Sequence, residues 1–312
     1  MKYRKYGNIS DKISEIGFGT WQLGNTIDWN GPNEEESLEL VKKAIEYGIN
    51  FFDTAPNYGE GKSELILGKA LKNIREKVII NTKIGHIPGK DIKNFDVDIM
   101  KESIENSLKK LDTDYIDTVL LHNPPIDMLD NDTPQFKLLE DLKRQRIIRE
   151  YGASLDFAQE VDRLLERTQS EVIEILFNIF FQDVRDSFQK IEEKNMGIIV
   201  KVPLDSGWLT GKYNENSKFR GIRNRWKKED IERRSKLLND IKEIKNNNES
   251  MTLEALRYIL GYDIVSTIAV GSKNINQLKE NVKAVEKRLE KEKIEKYEKL
   301  YNEKIRKNLL PW

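Results

Sequence analysis

Eight short apolar runs recur along this chain, each followed by a stretch of helical periodicity. That alternation restricts the fold more than any other feature of the sequence. The runs cover residues 16–20, 49–53, 78–83, 115–121, 148–153, 172–177, 198–202 and 264–270. They are nearly continuous in apolar residues rather than alternating, the pattern of parallel strands covered on both faces. Between and after them, amphipathic patterns predict helices over about 62–73, 97–111, 135–146, 156–168, 183–194, 229–245, 251–260 and 274–285. The first helix has its own start signal. Asn33-Glu34-Glu35-Glu36 is a capping box, and the stripe Leu38, Val41 and Ile45 runs up to Gly48. Eight βα units in 312 residues predict an α/β fold, a (β/α)8 TIM barrel. An open doubly wound sheet wants a glycine-rich phosphate turn after its first strand, and Gly17-Phe18-Gly19-Thr20-Trp21 has the wrong spacing. Residues 2–14, with turn signals at Gly7-Asn8 and Ser10-Asp11, read as a hairpin (1–14) ahead of the barrel. The Lys/Glu-rich stretch 287–307 reads as a solvated helix docked on the barrel, so 286–312 forms a C-terminal helix and tail within one domain spanning 1–312.

Charge and cysteine content narrow the function classes. Acidic and basic residues balance at 53 each, which gives no electrostatic pull toward nucleic acid or an anionic membrane. With no cysteine, disulfides and thiolate metal sites are excluded. No apolar run is long enough to span a bilayer, and Met1-Lys2-Tyr3-Arg4-Lys5 leads into a polar turn. The expectation is a cytoplasmic monomer or small homo-oligomer.

In a barrel of this kind, catalytic groups sit at the carboxyl ends of the strands. The second strand ends at Asp53, with Tyr58 five residues on in a Pro/Asn/Gly turn; the third ends at Lys83, and His122 follows the fourth. Each has a plainer reading, Lys83 as a solvated strand end and His122 as a histidine satisfied before a Pro-Pro turn. Adjacent strand ends converge on one mouth, however, and four ionisable groups arriving together favour chemistry. A phenol titrates near pH 10, too high for unaided proton transfer. Lys83 would favour the phenolate and lower that value, Asp53 would hold Lys83, and His122 would hydrogen-bond a substrate oxygen. The set is a poor metal site, because a lysine stands among the ligands.

These residues fall in short stretches that together resemble the aldo-keto reductase superfamily over essentially the whole chain. They are Gly17–Trp21, Asn50-Phe51-Phe52-Asp53-Thr54-Ala55, Tyr58-Gly59, Ile80-Asn81-Thr82-Lys83, Leu120-Leu121-His122-Asn123-Pro124 and Gly152-Ala153-Ser154. Pro203-Leu204, Gly207-Trp208-Leu209-Thr210-Gly211-Lys212-Tyr213, Gly271-Ser272-Lys273 and Glu280-Asn281 complete the series. The resemblance implies a barrel with the hairpin across its bottom and NADPH extended over its top. It implies reduction of an aldehyde or ketone, with Tyr58 as proton donor, Asp53 and Lys83 tuning it, and His122 orienting the carbonyl. It places the cofactor against Gly19, Thr20, Trp21, Asp53, Ser154, Glu174, Lys201, Leu204, Ser206, Gly271, Ser272, Lys273, Gln277, Glu280 and Asn281.

The chain departs from the family pattern in several of these. The position after Ser154, usually Asn, is Leu155; a usual Gln is Glu174; a frequent aromatic is Lys201. Glu174 is open to two readings, a cofactor contact or a buried acid paired with Lys201 across neighbouring strands. Ser272 and Lys273 resemble the site for the 2′-phosphate of NADPH at a helix start. A family Arg there is Gln277, so the expectation is a weakened preference for NADP that leaves room for NAD. Trp21, Tyr58, His86, His122 and Asn123 are expected to wall a small carbonyl substrate. Trp29 and Trp226 lie in polar loops and need cover, Arg220, Arg223 and Arg225 are read as loop anchors, and Leu309-Leu310-Pro311-Trp312 is expected to tuck back near the pocket. The alternative is a regulatory subunit that senses the cofactor and turns over slowly.

Overall fold

The structure is a computed structural model describing residues 1–26, 30–90, 92–245 and 248–311. Trp29 and Trp312 lie outside those residues. Strands β1 (Tyr3–Tyr6) and β2 (Ile9–Ser14) form an antiparallel hairpin turning at Gly7-Asn8; Ser10-Asp11 lies within β2 rather than in the turn. The barrel begins with β3 (Ile16–Gly19), then α1 (Glu34–Glu46), β4 (Phe51–Asp53) and α2 (Lys62–Leu71). It continues through β5 (Ile79–Ile84), α3 (Val97–Leu111), β6 (Ile116–His122), α4 (Pro134–Arg144), β7 (Ile148–Leu155) and α5 (Ala158–Arg167). The circuit is completed by β8 (Val172–Leu176), α6 (Phe188–Glu193), β9 (Gly197–Lys201), α7 (Lys228–Lys245), α8 (Met251–Leu260), β10 (Thr267–Gly271) and α9 (Ile275–Val282). The last helix is α10 (Lys291–Lys304). All eight barrel strands are parallel, and the sheet closes where β10 pairs with both β9 and β3. This is the (β/α)8 barrel that the alternation predicts.

Local signals account for the element ends. Asn33 accepts from the Glu36 amide while Glu36 accepts from the Asn33 amide, each at 2.9 Å, so both halves of the capping box form. Several boundaries differ from the sequence reading, three of them most clearly. The eighth strand starts at Thr267, because residues 264–266 are taken up by the turn after α8, where the Val265 amide bonds to Tyr262. The expected helix over 183–194 is a 3-10 turn, Asp183–Ser187, that runs into α6. The last helix is shorter than 287–307. It docks through buried Tyr297, Leu300 and Tyr301, with the Tyr297 hydroxyl on Glu254 of α8 at 2.7 Å. Among the described residues no helix is long and apolar enough to cross a membrane.

One packing feature positions everything that follows. Successive side chains on a barrel strand alternate between the interior and the helices. Tyr6, Ile9 and Ile13 of the hairpin pack with interior residues Phe51, Ile79, Leu120, Val172, Ile199 and Ala269, closing the amino-terminal end. Two positions beyond Phe51, Leu120, Val172 and Ile199 stand Asp53, His122, Glu174 and Lys201, and Lys83 stands four beyond Ile79. Parity therefore puts these polar groups on the interior face at the opposite end.

Candidate active site

At that end lies one continuous cavity of about 690 Å³. Asp53, Tyr58, His86, His122, Asn123, Glu174 and Lys201 line one part of it, with Gly19 and Trp21. Leu204, Ser206, Gly271, Lys273, Gln277, Glu280 and Asn281 line the rest. Four of the expected site residues sit behind its wall. Lys83 is buried beneath the mouth, and Thr20 bonds through its hydroxyl to the Asp53 carbonyl at 2.9 Å. The Ser154 hydroxyl accepts from the Lys201 ammonium at 2.8 Å, and the Ser272 hydroxyl accepts from Asn281 Nδ2 at 3.1 Å.

Lys83 is the hub. Its ammonium bonds the Asp53 carboxylate, lies 3.3 Å from Glu174 Oε1, and donates to the Thr54 carbonyl at 3.3 Å and to the Tyr58 hydroxyl at 3.5 Å. Asn81 holds the other partner, donating to Asp53 Oδ1 at 2.6 Å. The cross-strand pair of Glu174 with Lys201, one of the two readings open for Glu174, does not form. In the register Glu174 lies beside Ile199 and Lys201 beside Leu176, and Lys201 turns instead to Asp156 at 2.8 Å and Asn123 Oδ1 at 3.2 Å. The Tyr58 ring stands edge-on to His122 at 6.4 Å between centroids and beside Trp21 at 6.0 Å; His86 lies 4.4 Å from His122.

Burial sets the protonation states here. Tyr58 is raised above the ordinary phenol value, by burial first, with Lys83 opposing and Asp53 and Glu174 adding to the rise. The expected net lowering by Lys83 is thus overturned, because desolvation outweighs the single ammonium. Asp53 is pushed up to about 6, by burial first, against the pull of Lys83. Burial acts to lower Lys83, yet Asp53, Glu174 and Tyr58 raise it on balance, so it keeps its charge. His122 is held well below the usual histidine value by burial and then by Lys83, His86, Lys201 and Lys93, which leaves a neutral imidazole. The arrangement therefore offers a protonated phenol and a neutral imidazole to whatever enters the cavity.

The loop after β9 is built differently. Val202, Asp205 and Ser206 have φ of 53°, 43° and 52°. A β-branched residue such as Val202 rarely adopts that region, so the surroundings must hold it there. Asn178 donates to the Val202 carbonyl at 3.0 Å, and buried Arg234 pairs with Asp205 at 2.9 Å. A second arm of Arg234 donates to the Pro311 carbonyl at 2.8 Å. The tail thus reaches this loop rather than the Tyr58 end, and Leu310 is buried. Trp226 is covered by Trp208, Phe219, Arg225 and Arg234. Arg223 donates to the Tyr213 hydroxyl at 2.5 Å and Arg225 to Ser206 at 3.4 Å, the anchoring expected of these arginines.

The residue reading did not single out Gln22, Asn57, Lys93, Lys212, Ser250 and Thr252 as lining the cavity. Ser250 carried a signal, since it is the N-cap of α8. Lys93, in the loop after β5, carried none.

Two observations fit the cavity to a dinucleotide. It runs unbroken from the Tyr58 end to the start of α9, and both carboxylate oxygens of Glu174, fully buried and on its wall, lack a hydrogen-bond donor. An eight-stranded parallel barrel with Asp, Tyr, Lys and His gathered at its mouth is the architecture of the aldo-keto reductases. The chain belongs to that family: residues 15–302 match the Aldo/keto reductase family. It is 30% identical over 298 residues to L-galactose dehydrogenase of Arabidopsis thaliana, covering 91% of this chain and 88% of that one. It is 31% identical over 230 residues to the NADH-specific methylglyoxal reductase of Escherichia coli strain K12, covering 68% and 70%. The holo structure of aldo-keto reductase AKR11C1 from Bacillus halodurans superposes with a TM-score of 0.80 at 30% identity, covering 96% of each chain. Membership makes the chain an oxidoreductase of a family that binds nicotinamide cofactors.

Proposed function

We propose that the protein reduces an aldehyde or ketone to an alcohol using NAD(P)H, with Tyr58 as the proton donor. The observation that carries this reading is Tyr58 lining the cavity with its hydroxyl 3.5 Å from an ammonium held by Asp53 and Glu174. Burial keeps the phenol protonated, so a proton is available for an oxygen that gains charge. Lys83 stabilises the phenolate left behind, because its charge lies within hydrogen-bonding reach and cannot be screened by water. Neutral His122 donates a hydrogen bond to the same oxygen and orients it. Trp21, His86 and Asn123 wall the substrate side. When bound, the nicotinamide supplies the hydride.

Glu174, Gly19 and Lys201 would hold the nicotinamide end, and Leu204, Ser206 and Gly271 the middle of the dinucleotide. Lys273, Gln277, Glu280 and Asn281 would hold the adenosine end, where Lys273 stands just ahead of α9. Gln277 accepts from the Lys273 amide at 2.9 Å, and Ser272 is taken up by Asn281. The charge available to a 2′-phosphate at this helix is therefore Lys273 alone among these side chains, which supports NADPH with NADH as a workable substitute; the Escherichia coli relative is NADH-specific by name. The test is oxidation of NADPH and NADH against a panel of aldehydes and ketones. Turnover of at least one carbonyl is expected; none with either cofactor contradicts the reading.

A further inference from the structure

Glu174 projects from β8 into the barrel with no exposure, on the wall of the cavity. Its ion-pair partner is Lys83 at 3.3 Å, and that same ammonium is already bonded to Asp53. Two buried carboxylates thus share one ammonium, which leaves one negative charge in excess at the nicotinamide end. The surrounding charges do not cancel it. Lys201 is paired with Asp156, Tyr58 stays protonated and His122 stays neutral. Lys93 is exposed at the rim on the Asn123 carbonyl. His86 lies 4.4 Å from His122 and is half-buried. The glutamine that the family usually carries at the Glu174 position would add no charge at all.

We propose that Glu174 makes this cavity select the oxidised, positively charged nicotinamide ring over the reduced, neutral one. The inference rests on the reading above that the cavity holds a nicotinamide dinucleotide. Hydrogen bonding does not produce the selection, because the carboxamide N–H groups that could satisfy the two orphaned Glu174 oxygens are the same in both redox forms. Charge produces it. A full positive charge near an uncompensated buried carboxylate is attracted far more strongly than the same pair would be in water. The oxidised cofactor then leaves reluctantly, inhibits carbonyl reduction as a product, and favours the direction that begins from an alcohol.

The experiment is separate titration of the purified protein and of Glu174→Gln with NADP+ and with NADPH, followed by tryptophan fluorescence or calorimetry at low salt. The protein is expected to bind the oxidised form at least as tightly as the reduced. Glu174→Gln is expected to shift the ratio of the two Kd values at least about tenfold toward the reduced form. An unchanged ratio in the variant overturns the inference while leaving the cavity assignment in place. Should the variant fail to fold, the unaltered protein decides alone: reduced cofactor bound more than about tenfold tighter than oxidised overturns it. Failure to bind any of NADP+, NADPH, NAD+ and NADH overturns both the inference and the reading beneath it.

Discussion

At the amino-terminal end of the barrel, Tyr6, Ile9 and Ile13 seal the interior against Phe51, Leu120, Val172 and Ile199. Two residues along the same strands, the interior positions become Asp53, His122, Glu174 and Lys201, around a cavity. One backbone and one alternation serve both ends. What differs is the cost of burial: the plug is apolar, whereas Lys83, Asp53 and Glu174 are charged and nearly without exposure. Such charges persist where they hold one another, and the comparison teaches that the stability of this barrel is supplied at one end and drawn on at the other.

Breaking the charged end is expected to have the largest effect. Lys83→Met leaves two buried carboxylates without their ammonium and should cost about 3–5 kcal/mol of stability, with turnover lost by at least about a hundredfold. Denaturant melts and steady-state kinetics on one preparation check both parts. At the sealed end, Phe51→Ala should cost a comparable 3–5 kcal/mol or so by opening a cavity, yet leave turnover per folded molecule nearly unchanged. Loss of activity beyond the loss of folded protein would erase the contrast between the ends.

A smaller effect follows from Asp53. Its carboxyl is pushed up to about 6 in the folded chain, above its unfolded value. Ionising it therefore opposes folding. The stability it contributes is complete below about pH 4, the ordinary carboxylate value, and is lost as the pH rises through about 6. Melts against pH should show the protein losing ground to Asp53→Asn across that window and levelling off above it. The smallest effect is expected at the far end of the cavity. Lys273→Ala should weaken NADPH binding by about tenfold and leave NADH nearly unchanged, read by fluorescence titration.

The barrel was legible in the sequence because eight apolar runs alternate with helical patterns while the first strand lacks the glycine spacing that an open doubly wound sheet wants. Three of the four residues proposed for catalysis were legible because strand ends announce themselves where an apolar run meets Asp53, Lys83 or His122; Tyr58 was legible from its place in the turn just after Asp53. Contacts between strands were not. Whether Glu174 meets Lys201 or Lys83 depends on the stagger of neighbouring strands around a tilted barrel, which no single run records. The rise of the Tyr58 value was hidden for a similar reason, since burial depends on what the rest of the chain stacks over the ring. The loop after β9 owes its shape to Asn178, Arg234 and Pro311, residues up to about a hundred positions away whose approach only the fold brings about.

The proposal stands on a half-buried, protonated Tyr58 delivering the proton beside Lys83. It is tested most directly by Tyr58→Phe under single-turnover conditions with saturating cofactor, with cofactor affinity measured on the same preparation. The account predicts cofactor affinity within about twofold of the unaltered protein and carbonyl reduction slowed by at least about a hundredfold. Reduction at the full rate by the phenylalanine variant would contradict it.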